Sequence, residues 1–375
     1  MLFRSVLAHY NYLHAIPEPG LQEFKTAAYL AAKLEAAGYA VTRHIGGATG
    51  IVGIYDSGLP GPVLGIRADM DALTHIIEGK PVQRHTCGHD AHCAMLLTAA
   101  EEIIAENSIK KGKLKIIFQP AEEIGVGAKI MLGAGVINDI DILLGMHIRP
   151  IQECRSGQII EAMYYSSSCT IKAVIKGIPA HGARPHLGIN AIDGAIAAIT
   201  AVNAIHMNPV VACSAKCTRF LCDSGVTNAI PAHAAITFDI RAQFNDTMKE
   251  LKEKVIRAIH AGAATVGATV ESLETPTELP AAELDPEITK ILGEIIVESF
   301  GKEALCPPFT TPGGEDFFWY TSKLPHLKAG FTGLGVDAEP GLHHPDMHFD
   351  TSALENGVMI HKKSIIRFLN ESYTI

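Results

Sequence analysis

Over the first 150 positions, apolar residues gather in short unbroken runs rather than strict alternation. Residues 63–68, 113–119 and 140–146 are such runs, rich in Leu and Ile. Runs of this length read as strands buried on both faces, the kind found in parallel or mixed sheets covered by helices. Between them the period lengthens. Residues 21–37 follow a helical pattern, with Gly38 placed to cap the C-terminus, and 94–105 and 129–134 predict further helices. Residues 39–44 and 50–55 predict strands. Asp56-Ser57-Gly58 with Pro60-Gly61-Pro62 is the turn that follows.

After Pro150 the pattern changes. Strand 168–176, helix 191–205, strands 212–221 and 234–243, amphipathic helix 247–264 and strand 268–273 follow in turn. That order is β-α-β-β-α-β, the split βαβ arrangement of a ferredoxin-like module. A proline-containing acidic link, 276–285, ends it. Helix 286–300 and strand 327–334 then return to the first sheet. The expected class is α/β: a mixed sheet covered by helices, built from residues 1–164 and 277–375, with an inserted α+β domain at 165–276.

Bulk properties agree with two soluble domains. A chain of 375 residues exceeds what one core usually supports, and 47% hydrophobic with 19% charged residues is ordinary for a globular protein. A net charge of -9 argues against nucleic acid or an anionic membrane as the main partner. No apolar run reaches the roughly 20 residues that span a bilayer. Residues 1–10 lack a long apolar segment with a small-residue cleavage site, so a cytoplasmic location is expected. The eight cysteines are scattered, which reads as free thiols in a reducing compartment. Apart from Cys87, they are expected to act mostly as small buried hydrophobes.

Chemistry concentrates where predicted strands end. His85-Thr86-Cys87-Gly88-His89-Asp90-Ala91-His92 precedes the 94–105 helix and is expected on the loop before it. Thiolate and imidazole are strong ligands for transition metals at neutral pH. Strand 63–68 ends in Asp69-Met70-Asp71, strand 113–119 in Pro120-Ala121-Glu122-Glu123, and strand 140–146 in His147. The loop after 327–334 carries His343-His344-Pro345-Asp346-Met347-His348. Taken singly, each piece has an ordinary reading, such as a solvated Glu-Glu pair or a structural histidine. Their shared place at the carboxyl ends of strands, where open α/β sheets bind ligands, points to one metal site. Cys87, His89, Glu123, His147 and His343 are more ligands than one ion with water needs, which implies two ions sharing a bridge. Glu122, not spent as a ligand, is placed to act as general base. Asp69 and Asp71 are expected to orient histidines, and His92 to pack or support them.

Five ordered motifs resemble a known family: His-x-Cys-Gly-His-Asp-x-His, Gln-Pro-Ala-Glu-Glu, Gly-Met-His, Ala-His-Gly-Ala-x-Pro-His and Leu-His-His-Pro. The chain resembles the aminoacylase/carboxypeptidase metallopeptidases of clan MH, and within them the amidohydrolase branch of hippurate and auxin-conjugate hydrolases. The resemblance implies the same five ligands and the same base. It implies that the inserted domain is a lid, whose His181 helps to hold the substrate carbonyl or oxyanion. It further implies that Asn228 and Arg241 grip the substrate carboxylate and that Gly313 and Gly314 line the pocket, Gly314 standing where relatives have serine. The activity implied is hydrolysis of N-acyl amino acids with two divalent ions per subunit. Zn2+ or Mn2+ is expected, and Co2+ or Ni2+ also suits the donors. A dipeptidase or aminobenzoyl-glutamate hydrolase is the alternative, and an inactive metal-binding scaffold a more distant one. A homodimer through the lid is the expected assembly. Thr74 replaces the usual proline and 74–84 looks shortened, which bears on substrate choice. His344 beside His343 leaves the last ligand ambiguous; the motif favours His343.

Overall fold

A computed structural model describes residues 2–371. The chain divides into two compact units. One takes Met1–Tyr164, Glu283–Thr310 and Asp316–Ile375; the other takes Tyr165–Ala282 and Thr311–Glu315. The chain therefore passes between the units four times rather than the two expected from sequence, and the Gly313-Gly314 segment belongs to the second unit.

The first unit is built on an eight-stranded mixed sheet. Across it the order is Ala40–Ile45, Gly50–Asp56, Lys113–Gln119, Val63–Asp69, Ile142–Pro150, Lys328–Ala338, Ile159–Ile160 and Leu305–Cys306. The strands that read as apolar runs lie at its centre, pair in parallel and are buried on both faces. Helices Leu2–His14, His89–Ala105 and Leu354–Asn370 pack on one another over a core that includes Leu64, Ile66, Leu96, Ile116 and Phe368. Helix Phe24–Ala36 ends as the pattern predicts. Gly38 adopts φ +98°, the Tyr39 N–H returns to the Leu34 carbonyl, and the Gly38 N–H returns to that of Glu35.

The second unit is a four-stranded antiparallel sheet ordered Cys213–Leu221, His233–Ala242, Ser167–Lys176 and Thr269–Leu279. With helices Ala191–Asn203 and Asn245–Ala264 this is the ferredoxin-like arrangement, and its core is separate. The sequence placed a link from Pro276 onward, whereas the last strand runs on to Leu279. Proline is tolerated because the strand is at the sheet edge and its register slips opposite Thr170 and Lys172.

All eight cysteines are free thiols. Cys93, Cys154 and Cys169 are buried, but Cys213, Cys217, Cys222 and Cys306 are only partly so. Two of these, Cys213 and Cys217, sit on the edge strand of the second sheet. Among the described residues, no helix is long and apolar enough to cross a membrane.

Candidate metal centre

The cysteine-histidine run turns into helix earlier than its polarity suggests. Helix His89–Ala105 begins at His89, so His89, Asp90 and His92 occupy its first turns rather than the loop before it. Gly88 makes the entry, at φ +86°; a Cβ there would lie 2.2 Å from Ile148 Cδ1. Only glycine meets both conditions without strain. Cys87 is thereby fixed just outside the helix and His89 just inside it.

His147 likewise does not end its strand. Ile142–Pro150 leaves its partner Val63–Asp69 after Gly145 but keeps pairing with Lys328–Ala338 as far as Pro150. His147 sits where one flank of the strand has opened.

Asp71 organises the acidic turn. Its Oδ1 accepts the Glu122 N–H at 3.1 Å and its Oδ2 the Glu123 N–H at 3.0 Å, while Oδ1 also lies 3.3 Å from His89 Nδ1. One carboxylate thus positions the expected base, one expected ligand and the ring of another. Glu23, buried and overlooked in the sequence, holds the same turn by accepting the Ala121 N–H at 2.9 Å. The His343 N–H donates to the Thr86 carbonyl at 2.8 Å, tying the late histidine loop to the neighbour of Cys87.

The five expected ligands converge. Cys87 Sγ lies 3.3 Å from both His147 Nε2 and His343 Nε2. His343 Nε2 is 3.5 Å from Glu123 Oε2, and His89 Nε2 is 3.7 Å from Glu123 Oε1. Cys87 with His89 and His147, Cys87 with Glu123 and His343, and His89 with Glu122 and Glu123 each offer donor atoms close enough to share a cation. The His147 Nδ1–H donates to the Ile148 carbonyl at 2.6 Å, which leaves the Nε2 lone pair facing Cys87.

Burial, followed by the charge of Glu123, pushes the Cys87 thiol well up, and burial raises Glu123 to about 7. Burial, reinforced by His92, holds His147 well below the usual histidine range, and burial also lowers His343. Both imidazoles are therefore neutral donors. His89 is the exception, because Asp69 and other neighbours outweigh its burial and raise it.

A divalent cation fits this donor set. His89 Nε2 and Glu123 Oε1 are buried with no hydrogen-bond partner, an arrangement that is costly unless something else binds them. His92 is differently placed. Its Nδ1 meets Asp69 Oδ1 at 2.7 Å and its Nε2 accepts the Ile148 N–H at 2.9 Å, so both nitrogens are spent.

In the second unit the expected substrate residues fall into two groups. His181 and Asn228 share a small ribbon, Ala180–His181 against Ala229–Ile230, where the Gly182 N–H donates to the Asn228 carbonyl at 2.7 Å. The Ala183 N–H donates to His181 Nδ1 at 3.0 Å, so a neutral His181 carries its proton on Nε2 as an outward donor. Arg241 lies eight residues along the strand that starts at His233. At strand rise this is about 26 Å from His233, which follows the ribbon in the chain. Gly313 and Gly314 lie at the Arg241 end, where Arg241 Nη1 donates to the Pro312 carbonyl at 3.3 Å. A Cβ on Gly314 would stand 2.7 Å from Leu279 Cδ1, so a serine there would require that side chain to move.

Residues 65–367 match the peptidase family M20/M25/M40. The chain belongs to that family. It is a metal-dependent hydrolase of amide bonds, as the resemblance implied. N-acetyldiaminopimelate deacetylase of Streptococcus pneumoniae is 31% identical, over 92% of this chain and 94% of its own length. N-acetyl-L-cysteine deacetylase of Bacillus subtilis is 29% identical, over 94% and 85%. A dinuclear metal-binding M20 peptidase of Bacillus subtilis superposes with TM-score 0.80 at 25% identity, covering 98% of each chain.

Proposed function

We propose that this M20 hydrolase cleaves the amide bond of N-acyl amino acids, with Cys87, His89, Glu123, His147 and His343 as ligands of two divalent cations. The observation that carries the reading is the thiol of Cys87 set between two neutral imidazoles, beside His89 Nε2 and Glu123 Oε1, which are buried without a hydrogen bond. Bound there, the cations supply Lewis acidity, polarising the scissile carbonyl and acidifying water. Glu122, on the turn held by Asp71, takes the proton of the attacking water and passes it to the leaving amine. His181 donates from Nε2 to the carbonyl oxygen as its charge develops. Arg241, with Asn228 of a second copy of the chain, grips the substrate carboxylate, and Gly313 and Gly314 line the approach. The thiolate favours Zn2+, while the carboxylate and imidazoles suit Mn2+ equally.

An acylated substrate is favoured over a dipeptide by how the nearby carboxylates are used. Asp71 holds two backbone amides, Asp69 holds His92 and Arg67, and Asp316 holds Arg67 and Gln119, so none of them is spare to bind a free α-ammonium. The deacetylases among the relatives support the same choice.

Glu122→Gln tests the assignment. It should keep both ions and lose roughly two to four orders of magnitude in turnover; near-normal turnover at full metal occupancy would sink it. Cys87→Ser should lose metal, because a serine hydroxyl stays protonated. Cys93→Ser, at a buried thiol that donates to the Asp69 carbonyl, is the silent control.

A further inference from the structure

His89 Nε2 lies 3.7 Å from two carboxylate oxygens, Glu123 Oε1 and Asp69 Oδ2. Distance alone does not say which would share a cation with it. Asp69, His89 and His92 even form a further cluster with donor atoms close enough to hold one. The two carboxylates differ in what else touches them. Glu123 Oε1 has no hydrogen-bond partner, whereas Asp69 Oδ2 accepts from Arg67 Nη1 at 2.7 Å. Arg67 is 2% exposed and cannot follow Asp69 if it moves. Its Nε donates to Gln119 Oε1 at 3.0 Å and its Nη2 to Asp316 Oδ1 at 2.9 Å. Asp316 is fixed in turn by Gln119 Nε2 and the Ala128 N–H. A planar guanidinium clamped on three sides holds a carboxylate oxygen more firmly than a mobile ammonium would, and its charge opposes a cation at the same oxygen.

We propose that Arg67 selects the ligand set of the metal centre. By holding Asp69 Oδ2 it keeps that carboxylate, and the His92 bound behind it, off the cation at His89 and leaves the position to Glu123. Arg67 is a positioning residue that touches neither substrate nor metal. The proposal rests on the five-ligand reading given above. It goes beyond that reading by assigning metal preference to a residue outside the ligands, since a freed Asp69 would add a hard oxygen donor and pull the centre toward Mn2+.

The test is metal binding by chelator competition, with Mn2+ and Zn2+ as probes on the full chain stripped of metal. Arg67→Lys keeps the charge, but one ammonium cannot serve Asp69, Gln119 and Asp316 together. Mn2+ affinity should rise about tenfold relative to Zn2+, the scale of outer-sphere effects on metal sites. Arg67→Lys/Asp69→Asn should return to the wild-type ratio. An unchanged ratio in a natively folded Arg67→Lys, or a shift that persists in the double variant, overturns the proposal. Should Arg67→Lys fail to fold, Asp69→Asn alone still decides. With Asp69 outside the ligand set it keeps both ions, and loss of an ion would make Asp69 a ligand and end the proposal. All readouts are binding, so a chain that binds metal but hydrolyses no N-acyl amino acid would fail the functional reading and leave this one standing. Metal retained in Cys87→Ser would instead remove the ligand set itself.

Discussion

Arg241 is held on one side before any substrate arrives. Its Nε donates to Asp239 at 3.1 Å and its Nη1 to the Pro312 carbonyl, while Nη2 has no partner among the described residues. A purely structural ion pair at this 37% exposed position would contribute little to stability. A substrate carboxylate would gain a donor already oriented by Asp239. Arg241→Lys separates the two roles, because the charge stays and the fork is lost. It should raise KM for N-acyl amino acids and leave their carboxamide analogues unchanged. Steady-state kinetics on matched acid and amide pairs would show it, and equal losses on both would assign Arg241 to structure. Arg67 poses the opposite case. The run 63–68 reads as apolar despite Arg67, and the role of that buried arginine became readable only once Asp69, Gln119 and Asp316 surrounded it.

At the scale of elements, Gly88 joins loop to helix and its replacement should be felt at the metals. Gly88→Ala forces a side chain into φ +86° and against Ile148. The backbone strain alone costs about 1–3 kcal/mol. Urea unfolding should report that loss, and metal analysis should show fewer ions because Cys87 and His89 flank the glycine. Full metal content in a destabilised variant would separate the cap from the centre. The same helix shows why some elements were legible and others not. The central strands could be read because burial on both faces leaves an unbroken apolar run. The start of the helix at His89 could not, because its first turns are polar yet buried. Asp69, Asp71 and His14 hydrogen-bond to these turns, partners that no local pattern reveals. The overrun of Ile142–Pro150 past His147 depends on a neighbouring strand from the far end of the chain. Residues 73–84 form a hairpin, Leu73–Ile77 against Lys80–Arg84. Glu78 and Gly79 both take positive φ at its turn, and Glu78 is a poor advertisement for such a turn.

At the scale of the whole molecule, the two ends of the second unit set a geometric condition. His181 and Asn228 sit on the ribbon beyond the His233 end of the sheet, and Arg241 lies about 26 Å along the strand from His233. An N-acyl amino acid is far too small to touch both ends of one copy. If His181 holds the carbonyl and Arg241 the carboxylate of the same substrate, they must come from different chains. We propose that such pairing would use an edge of the second unit. Among the described residues, strand Cys213–Leu221 has one strand neighbour and an open edge, and Phe220, Leu221 and Ile196 are exposed nearby in sequence or on the adjoining helix. A homodimer through this face makes a sharp prediction. His181→Ala and Arg241→Ala should each be inactive alone, but chains unfolded together and allowed to reassemble at random should regain activity. Half of the dimers would be mixed, and each mixed dimer would hold one intact site of two, giving about one quarter of wild-type turnover. No recovery, with mixed dimers present by mass spectrometry, would mean that the two residues do not serve one substrate across chains, and either His181 or Arg241 would lose its assigned role.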